Sequence, residues 1–357
     1  MEKKRIVVAC GGTGGHAFPG LAAAAEMRAR GHEVSVWTSG RSIESSVMKS
    51  WDGPTFSTGA KTLSPGHLPA ILLSVLRCRR EIGRFKPHAL LAMGSYSSLP
   101  PVLAAASRRV PVVLHEANAV PGRAVDFLSR LARVVAISFP SAAECFSGRR
   151  TELTGLPVRR EIAEGTRFDD FPPDRFTVFV TGGSQGAHRV NEIAAQALAL
   201  VKHDLDKTGD GAKLRVIHQT GFADEGAVTG RYAAAGVPAR VQAFEREMGR
   251  AFATADLVIA RAGASTCFEL ALCGKPAFLI PLPSALRNHQ HWNADAFASV
   301  GAADEGLQAQ LAPRQVCRYL LERYDRPELL ARMAGKMKAQ ATPDAAAKVA
   351  DLIEQGH

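Results

Sequence analysis

Two glycine-rich segments stand at equivalent points of the chain, and each has the composition of a phosphate-binding loop. The first reads GGTGG (11–15) and the second GGSQG (182–186); each follows a short apolar run and precedes a helical pattern. Glycines at such a junction let backbone amides approach a phosphate, and the helix N-terminus adds partial positive charge. The repeated arrangement favours a protein that binds phosphorylated ligands in both halves.

Neither segment matches a dinucleotide or nucleoside triphosphate fingerprint. A nicotinamide site requires G-x-G-x-x-G and an acidic residue at the end of the second strand. Here the second strands end in WTS (37–39) and QTG (219–221), without a carboxylate, and no Walker sequence G-x-x-x-x-G-K-[ST] occurs. Dehydrogenases and P-loop nucleotidases are therefore disfavoured.

The elements that must position these loops occur in the same order twice. The first half predicts strands at 5–10, 33–38, 89–93, 111–115 and, as its last, 134–137, with helices at 22–30, 68–84, 100–107 and 122–132. The second half predicts strands at 176–181, 214–219, 257–260 and 277–281. Strands that alternate with helices predict doubly wound parallel sheets. We expect an α/β protein of two Rossmann-like domains facing across a cleft.

The domain boundary is predicted near residue 160. Residues 155–174 are rich in proline and charge and are typical of a linker, which gives an N-terminal domain at 1–160 and a C-terminal domain at 161–357. A last helix runs from about Asp344 to Gln355, and the sequence leaves open which domain it packs on. A chain of 357 residues, 46% of them hydrophobic, is long enough for two cores.

Composition narrows the class of partner. The net charge of +10 favours anionic partners, whereas 6% aromatic residues and the lack of a basic-aromatic motif disfavour nucleic acid. The six cysteines show no C-x-x-C spacing, so reduced thiols are expected rather than a metal cluster. No apolar run approaches the roughly 20 residues of a membrane-spanning helix. We expect a soluble protein or one bound at a membrane surface.

Motifs along nearly the whole chain together resemble one known family. They are GGTGGHAFPGLA (11–22), HEAN (115–118), GLPVR (155–159), GGSQGA (182–187), RAGASTCFE (261–269) and NHQHWNA (288–294). In this order they resemble the MurG family, the undecaprenyl-pyrophosphoryl-muramoyl-peptide N-acetylglucosaminyltransferases of peptidoglycan synthesis. The resemblance implies the GT-B fold, UDP-N-acetylglucosamine as donor and lipid I as acceptor, with lipid II as product. It implies no cofactor and no required metal.

The same resemblance assigns most donor contacts to the C-terminal domain. Glu269 would accept hydrogen bonds from both ribose hydroxyls, a bidentate contact that suits a carboxylate. The uracil loop would contain Phe244 and Glu245, with backbone groups reading the base. The remaining donor contacts would come from Ser184, Gln185, Ala264, Ser265 and Thr266 at the diphosphate, Arg159 as its cation, and Gln290 and Asn293 at the sugar.

In the N-terminal domain the resemblance implies the base and the acceptor side. Thr13, Gly14 and Gly15 would be donor-binding residues that line the cleft near the diphosphates. His16 follows them directly, and an imidazole suits a base that takes the proton of the attacking hydroxyl. We expect an inverting, in-line displacement in which His16 deprotonates the acceptor 4-hydroxyl; a structural histidine bonded to a loop carbonyl is the alternative. The other residues implied here are Asn118 at the donor sugar and, on the acceptor side, Gly94, Ser95, Tyr96 and Glu116.

Residues 67–86 predict a helix with an apolar patch beside a basic cluster. Its predicted membrane contacts are Leu68, Ile71, Leu72, Val75, Leu76, Arg77, Arg79 and Arg80. Such a helix docks on anionic lipid, although an ordinary amphipathic core helix has the same spacing. The lipid-linked acceptor favours peripheral attachment at the cytoplasmic face of the bacterial inner membrane.

The acceptor side departs from the family pattern. Ser95 stands where the G-x-G-G-Y loop has its second glycine, and a side chain there restricts backbone approach to a phosphate. Ala117 stands where the family motif HEQN has glutamine, and Val125 stands where the family has an asparagine after the PG. Leu156 replaces the asparagine of GNPVR, and Asn288 replaces the aspartate of DHQ. Three alternatives stay open: a paralogue that glycosylates another lipid, a UDP-sugar-binding membrane scaffold without turnover, and a UDP-sugar epimerase of the same fold.

Overall fold

A computed structural model describes residues 2–12, 14–41, 48, 51–62 and 64–355 and divides the chain into two compact units. Unit 1 contains the residues up to Arg159 and the segment from Thr342 onward, and unit 2 contains Arg160–Ala341. The predicted C-terminal domain at 161–357 is therefore too long. Its last helix belongs to unit 1, which is one of the two placements that the sequence left open.

The helices and strands follow one another as in two successive Rossmann-like halves. Unit 1 begins with β1 (Arg5–Ala9), α1 (Gly14–Ala29), β2 (Glu33–Thr38), β3 (Thr55–Ser57), α2 (Leu68–Phe85), β4 (Ala89–Ala92), α3 (Leu99–Ser107), β5 (Val112–Glu116), α4 (Arg123–Leu128), β6 (Val134–Ile137) and β7 (Thr151–Leu153). Unit 2 contains α5 (Arg160–Ala163), β8 (Phe176–Thr181), α6 (His188–Thr208), β9 (Leu214–Gln219), α7 (Glu225–Ala234), β10 (Ala239–Gln242), α8 (Met248–Thr254), β11 (Leu257–Ala260), α9 (Ala264–Cys273), β12 (Ala277–Leu279), α10 (His289–Ala298), β13 (Ala303–Glu305), α11 (Pro313–Asp325) and α12 (Pro327–Ala339). The chain ends in unit 1 with α13 (Ala345–Glu354).

Each unit contains one parallel sheet whose order reverses at its first strand. Among the described residues the unit 1 order is β3-β2-β1-β4-β5-β6-β7, and the unit 2 order is β10-β9-β8-β11-β12-β13. Open α/β sheets bind ligands outside the carboxyl ends of their strands, at the point where the order reverses. The two glycine-rich loops follow β1 and β8, so the fold places both of them at such switch points.

The strands of unit 1 are apolar because both faces of the sheet are covered. Ile6 and Val8 pack in one cluster with α1 and α13, whereas Val7 and Ala9 pack in another with α2 and α3. Successive strand residues point to opposite faces, so a strand buried on both sides is apolar throughout. This explains why the predicted strand bounds hold for β2, β6, β8, β9 and β11.

Charged pairs add to the packing of α13 on unit 1. Arg30 Nη1 lies 2.6 Å from Asp351 Oδ1 and 3.0 Å from Glu354 Oε2. The ring of His32 reaches the same helix, with Nε2 2.8 Å from Glu354 Oε1. The last helix is thus an integral layer of unit 1.

Two expectations about the chain's midpoint are wrong. The first half does not end at β6, because β7 adds an edge strand beyond it. The predicted linker at 155–174 is not a free connection either: α5 lies in it, and Phe168 and Phe171 are 3% and 4% exposed. The many charged residues of segment 155–174 gave it the composition of a linker, although it contains these two buried phenylalanines. No helix in the described ranges is both long and apolar enough to cross a membrane.

Candidate active site

His16 lies in the first turn of α1, at the switch point of unit 1. Its Nδ1 is 2.9 Å from the carbonyl oxygen of Met93, which directly follows β4. A carbonyl oxygen only accepts, so Nδ1 donates the hydrogen, and in the neutral ring Nε2 then holds the lone pair. The bond orients the imidazole and gives its other nitrogen the character that a base requires.

The loops after β1 and β4 meet beside His16. A Cβ added to Gly12, whose φ is +122°, would lie 2.9 Å from Ser95 Oγ and 3.7 Å from His16 Cδ2. Ser97 Oγ donates to the carbonyl oxygen of Gly11 at 2.5 Å and ties the two loops together. Gly94 has a φ of +78°, and a Cβ there would lie 3.2 Å from the carbonyl oxygen of His115. These close approaches require glycine at both positions.

Four further residues predicted around this loop pair are placed as follows. Gly14 is buried and Gly15 is exposed, whereas Thr13 lies outside the described residues. Tyr96 follows Ser95, and the guanidinium carbon of Arg41 lies 5.1 Å from the centre of its ring.

Strand β5 ends in two buried ionisable side chains. His115 is fully buried, its Nε2 donates to the carbonyl oxygen of Gly155 at 3.1 Å, and burial lowers its pKa to about 4. Glu116 accepts hydrogen bonds from the backbone N and Nδ2 of Asn118 at 2.8 and 3.0 Å. Burial nevertheless raises the pKa of Glu116 to about 7. The carboxyl therefore acts by fixing Asn118, since only 2% of it is exposed.

Arg159, the last residue of the first segment of unit 1, lies against the start of α1. Its guanidinium carbon is 4.1 Å from the centre of the Phe18 ring, a cation–π contact with a residue two positions after His16. The side chain is half-buried. The contact holds a permanent positive charge beside the helix that carries the candidate base.

In unit 2 the GGSQGA loop is locked to the loop after β9. A Cβ added to Gly186, whose φ is +74°, would lie 2.0 Å from the carbonyl oxygen of Thr220. Gln219 Nε2 donates to the carbonyl oxygen of Gly183 at 2.8 Å. This geometry holds the tip of the loop, where Ser184 is half-buried and Gln185 is exposed.

The loop after β11 leads directly into α9, at the switch point of unit 2. Ala264, Ser265 and Thr266 form the first turn, and the preceding Gly263 supplies no side-chain cap. First-turn amides have no acceptor within their own helix, which suits an anion. The half-buried Glu269 lies one turn after Ser265 on the same face of α9.

Arg261 is a structural residue of this site that the sequence did not single out. It is 8% exposed and donates to the carbonyl oxygens of Ile280 and Pro281 at 3.1 and 3.0 Å and to Gln308 Oε1 at 2.6 Å. It thereby joins the loop after β11 to the loop after β12. Its place at the head of RAGAST, directly after a buried strand, was the available signal.

The predicted sugar and uracil contacts support loops through their side chains. Gln290 Oε1 accepts from the backbone N of Leu282 at 2.9 Å, and the fully buried Asn293 donates from Nδ2 to the carbonyl oxygen of Ala262 at 3.1 Å. Glu245 is 2% exposed and accepts from the backbone N of Glu247 at 2.8 Å, while the preceding Phe244 is half-buried. The side chain of Glu245 is therefore turned into the protein and not toward solvent.

The acidic pair in the chain with the spacing D-x-D does not lie at a switch point. Asp204 and Asp206 belong to α6, where they pair with Lys207 and Lys202. Within the described ranges no group of three or more His, Cys, Asp or Glu side chains is placed to hold a metal ion.

Helix α2 presents an apolar surface that differs in part from the predicted one. Leu68, Leu72, Leu73 and Leu76 are 54–67% exposed, whereas Ile71 is 8% exposed and Val75 packs partly on the core. The prediction that Ile71 and Val75 contact the membrane is therefore wrong, because both face the core. Leu73, which was not predicted, lies on the exposed side of the helix. Of the basic residues, Arg77 and Arg80 are exposed, while Arg79 is half-buried and donates to the carbonyl oxygen of Ser107 at 3.2 Å.

Comparison with known proteins identifies relatives along the whole chain. The glycosyltransferase family 28 N-terminal domain matches residues 6–137, and the family 28 C-terminal domain matches residues 177–349. A protein of Stutzerimonas stutzeri named UDP-N-acetylglucosamine--N-acetylmuramyl-(pentapeptide) pyrophosphoryl-undecaprenol N-acetylglucosamine transferase is 38% identical, over 99% of both chains. The crystal structure of Acinetobacter baumannii MurG superposes with a TM-score of 0.77 at 31% identity, over 99% of both chains.

The fold alone extends to other sugar-nucleotide proteins. The UDP-GlcNAc 2-epimerase of Neisseria meningitidis superposes with a TM-score of 0.72 at 11% identity, over 98% of this chain and 100% of that one. At this identity the likeness concerns the fold and not the reaction.

Proposed function

Because this chain belongs to the MurG family of glycosyltransferase family 28, we propose that it transfers N-acetylglucosamine from UDP-N-acetylglucosamine to lipid I, forming lipid II. The observation that carries the proposal is the 38% identity, over 99% of both chains, to the Stutzerimonas stutzeri protein that is named as an N-acetylglucosamine transferase. The match includes the loops of both units, so it supports the acceptor as well as the donor.

The proposed reaction is an in-line displacement at C1 of the donor sugar. The acceptor 4-hydroxyl oxygen forms the new bond to C1 while its proton passes to His16 Nε2. The bond between C1 and the β-phosphate oxygen breaks, and UDP leaves with the electron pair. The hydrogen bond from Nδ1 to Met93 supports this role, because it orients the ring and stabilises the imidazolium that forms.

The donor is bound mainly by unit 2 in this proposal. Glu269 accepts both ribose hydroxyls, and the loop of Phe244 and Glu245 reads the uracil through its backbone. Gln290 contacts the sugar, and the fully buried Asn293 supports this part of the site through its hydrogen bond to Ala262. Asn118 of unit 1, held by Glu116, is a further sugar contact in this proposal. The rigid loops around Arg261 and Gly186 support these assignments, since they limit the ordering that binding requires.

The charge on the departing UDP is stabilised without a required metal. The first-turn amides of α9 and the loop residues Ser184 and Gln185 donate to the diphosphate, and Arg159 supplies the formal charge. Fixed donors of this kind stabilise developing charge because they need no reorganisation during the reaction. The contact of Arg159 with Phe18 supports this role by limiting the motion of the guanidinium.

We place the protein at the cytoplasmic face of the bacterial inner membrane as a peripheral protein. The exposed leucines of α2 with Arg77 and Arg80 support this location, because an apolar surface beside positive charge binds anionic lipid. A lipid-linked acceptor also requires the protein to work at a bilayer surface.

UDP release from UDP-N-acetylglucosamine, measured with and without a lipid I analogue, tests the proposal. We expect release that depends on the analogue and yields a disaccharide product. Donor binding without release would identify a non-catalytic binding protein. Interconversion of the UDP-sugar without acceptor would identify an epimerase, and transfer to a different lipid would identify a paralogue.

A further inference from the structure

A buried histidine of β9 has no part in the proposed reaction. His218 is 1% exposed, and burial lowers its pKa to about 3, so its ring is neutral. Its Nδ1 lies 2.8 Å from the hydroxyl of Tyr232, and its Nε2 lies 3.1 Å from Asn191 Oδ1. Both partners are also 1% exposed. Buried polar groups are stable only when donors meet acceptors, so this network has one defined arrangement.

Asn191 of α6 is the centre of the network. Its Nδ2 lies 2.7 Å from the carbonyl oxygen of Thr220 and 2.7 Å from Asp224 Oδ2. Both of these oxygens are acceptors, so the amide nitrogen faces them, and Oδ1 accepts from Nε2 of His218. Nδ1 of that ring then accepts from the hydroxyl of Tyr232. Asn191 therefore uses both of its amide hydrogens to hold the loop after β9.

The loop after β9 (220–224) contacts both loops that are proposed to bind the donor. A Cβ added to Gly221, whose φ is +77°, would lie 2.4 Å from the carbonyl oxygen of Gln185 in the GGSQGA loop. The backbone N of Gly221 donates to the carbonyl oxygen of Ala243 at 2.9 Å, and Glu225 Oε1 accepts from the backbone N of Ala243 at 3.0 Å. Ala243 directly precedes the uracil loop. The loop after β9 is thus a spacer between the two.

The separation of these two loops matters because one donor molecule must reach both. In the proposed function the GGSQGA loop contacts the diphosphate, and the loop of Phe244 and Glu245 reads the base of the same UDP. Two contacts to one ligand reinforce each other only while their separation matches that of the ligand groups. A spacer that is fixed before binding also lowers the cost of ordering the site.

We propose that Asn191 is a positioning residue that sets, through the loop after β9, the separation between the base-binding and diphosphate-binding loops. This inference rests on the proposed function and deepens it. Asn191 acts without touching the donor, since its side chain is buried and both amide hydrogens are used within the protein. Ligands that span both loops depend on Asn191, whereas ligands that occupy only one of them do not.

Binding to the full chain tests the proposal, with UDP measured by calorimetry and with uridine and inorganic diphosphate measured by displacement of UDP. We expect Asn191→Ala to weaken UDP binding about tenfold and to leave uridine and diphosphate within about twofold of wild type. Gln196→Ala, at a half-buried amide of the same helix, should bind all three ligands as wild type does. With a lipid I analogue, Asn191→Ala should raise the KM for the donor about tenfold with kcat nearly constant.

A second variant keeps the test decisive if Asn191→Ala does not fold. Asp224→Ala removes one acceptor at the half-buried end of the network and should weaken UDP binding selectively, by about threefold. Unchanged UDP binding in the folded variants, or equal losses for all three ligands, would overturn the inference. A wild type that shows the selective dependence on Asn191 but transfers no sugar would overturn the proposed function alone.

Discussion

Glu116 holds Asn118 through two hydrogen bonds while being almost completely withdrawn from water. Oε1 of Glu116 accepts both hydrogen bonds. The buried Oε2 makes no hydrogen bond in the described part of the chain. Burial disfavours the charged form more than the donors from Asn118 favour it, so the pKa rises to about 7. The side chain thus supports a site residue at a cost that depends on pH.

That dependence predicts how Glu116→Gln changes stability. The pKa in the folded state lies above the unfolded value, so between about pH 4.5 and 7 the folded state binds more protons and the free energy of unfolding falls as pH rises. At pH 8 the ionised, buried carboxylate lowers the free energy of unfolding by about 3 kcal/mol. Gln keeps the acceptor for Asn118 without the charge. Urea unfolding should show the variant gaining stability over wild type from pH 5 to pH 8, by about that amount.

The matched control for this comparison is Glu144→Gln, at an exposed position of unit 1. Its stability difference from wild type should not change with pH. If the free energies of unfolding of wild type and Glu116→Gln change in parallel with pH, the buried carboxyl does not titrate as inferred.

His16→Ala should lower kcat by about 10²–10⁴-fold, the contribution of a general base. The KM for the donor should change little, because the proposed donor contacts lie elsewhere. UDP release with a lipid I analogue measures both. His203→Ala, at an exposed histidine of α6, serves as the control. Near-normal turnover of His16→Ala would leave that histidine a structural role only.

Glu269→Gln should weaken UDP binding about 10- to 100-fold, because it removes a charged acceptor for two hydroxyls. Calorimetry with UDP and 2′-deoxy-UDP checks the partner as well as the affinity. Wild type should lose more affinity than the variant when the 2′-hydroxyl is absent. Glu192→Gln, on the surface of α6, should behave as wild type. Equal losses in both proteins would argue against a ribose contact.

Gly186→Ala should weaken donor binding and lower the melting temperature. Its Cβ would meet the carbonyl oxygen of Thr220, so the loop after β8 must move away from the loop after β9. Gly226→Ala in α7 is the control, since a Cβ there meets nothing within 4 Å. The control should keep donor affinity. If Gly186→Ala also keeps it, the locked geometry of the loop does not matter for the donor.

Replacing Leu72 and Leu76 together by Ser should reduce binding to anionic vesicles, because both side chains are more than half exposed and contribute apolar area. Co-sedimentation at low and high salt measures the apolar and electrostatic contributions separately. Leu153→Ser, at a leucine that is 52% exposed in β7, should bind as wild type. Undiminished binding of the double variant would exclude α2 as the contact surface.

The sequence predicted the elements that are buried on both faces and missed those at the edges. Continuous apolar runs identified β1 and β8, whereas β3, β7, β10 and β13 have only three or four residues each and carry polar or exposed positions. Such short edge strands are set by pairing with a neighbour, which no local pattern reveals.

The positions of the candidate site residues in the fold were predictable where a motif coincided with the end of a central strand. His16, Ser184 and Thr266 follow β1, β8 and β11 as the motifs required. The direction of a side chain on a helix was less certain: Ile71 and Leu73 have similar chemistry, but only contacts with the sheet decide which one is buried. The support given by Arg261 was also hidden, because its partners come from distant segments.

The placement of α13 means that unit 2 is inserted into unit 1 within the sequence. During synthesis the first 159 residues leave the ribosome long before the helix that completes their core. Until then the apolar surface that receives Val349, Ala350 and Ile353 is uncovered, and exposed surface of this kind promotes aggregation. Folding of the half that carries His16 is therefore complete only after α13 has been synthesised.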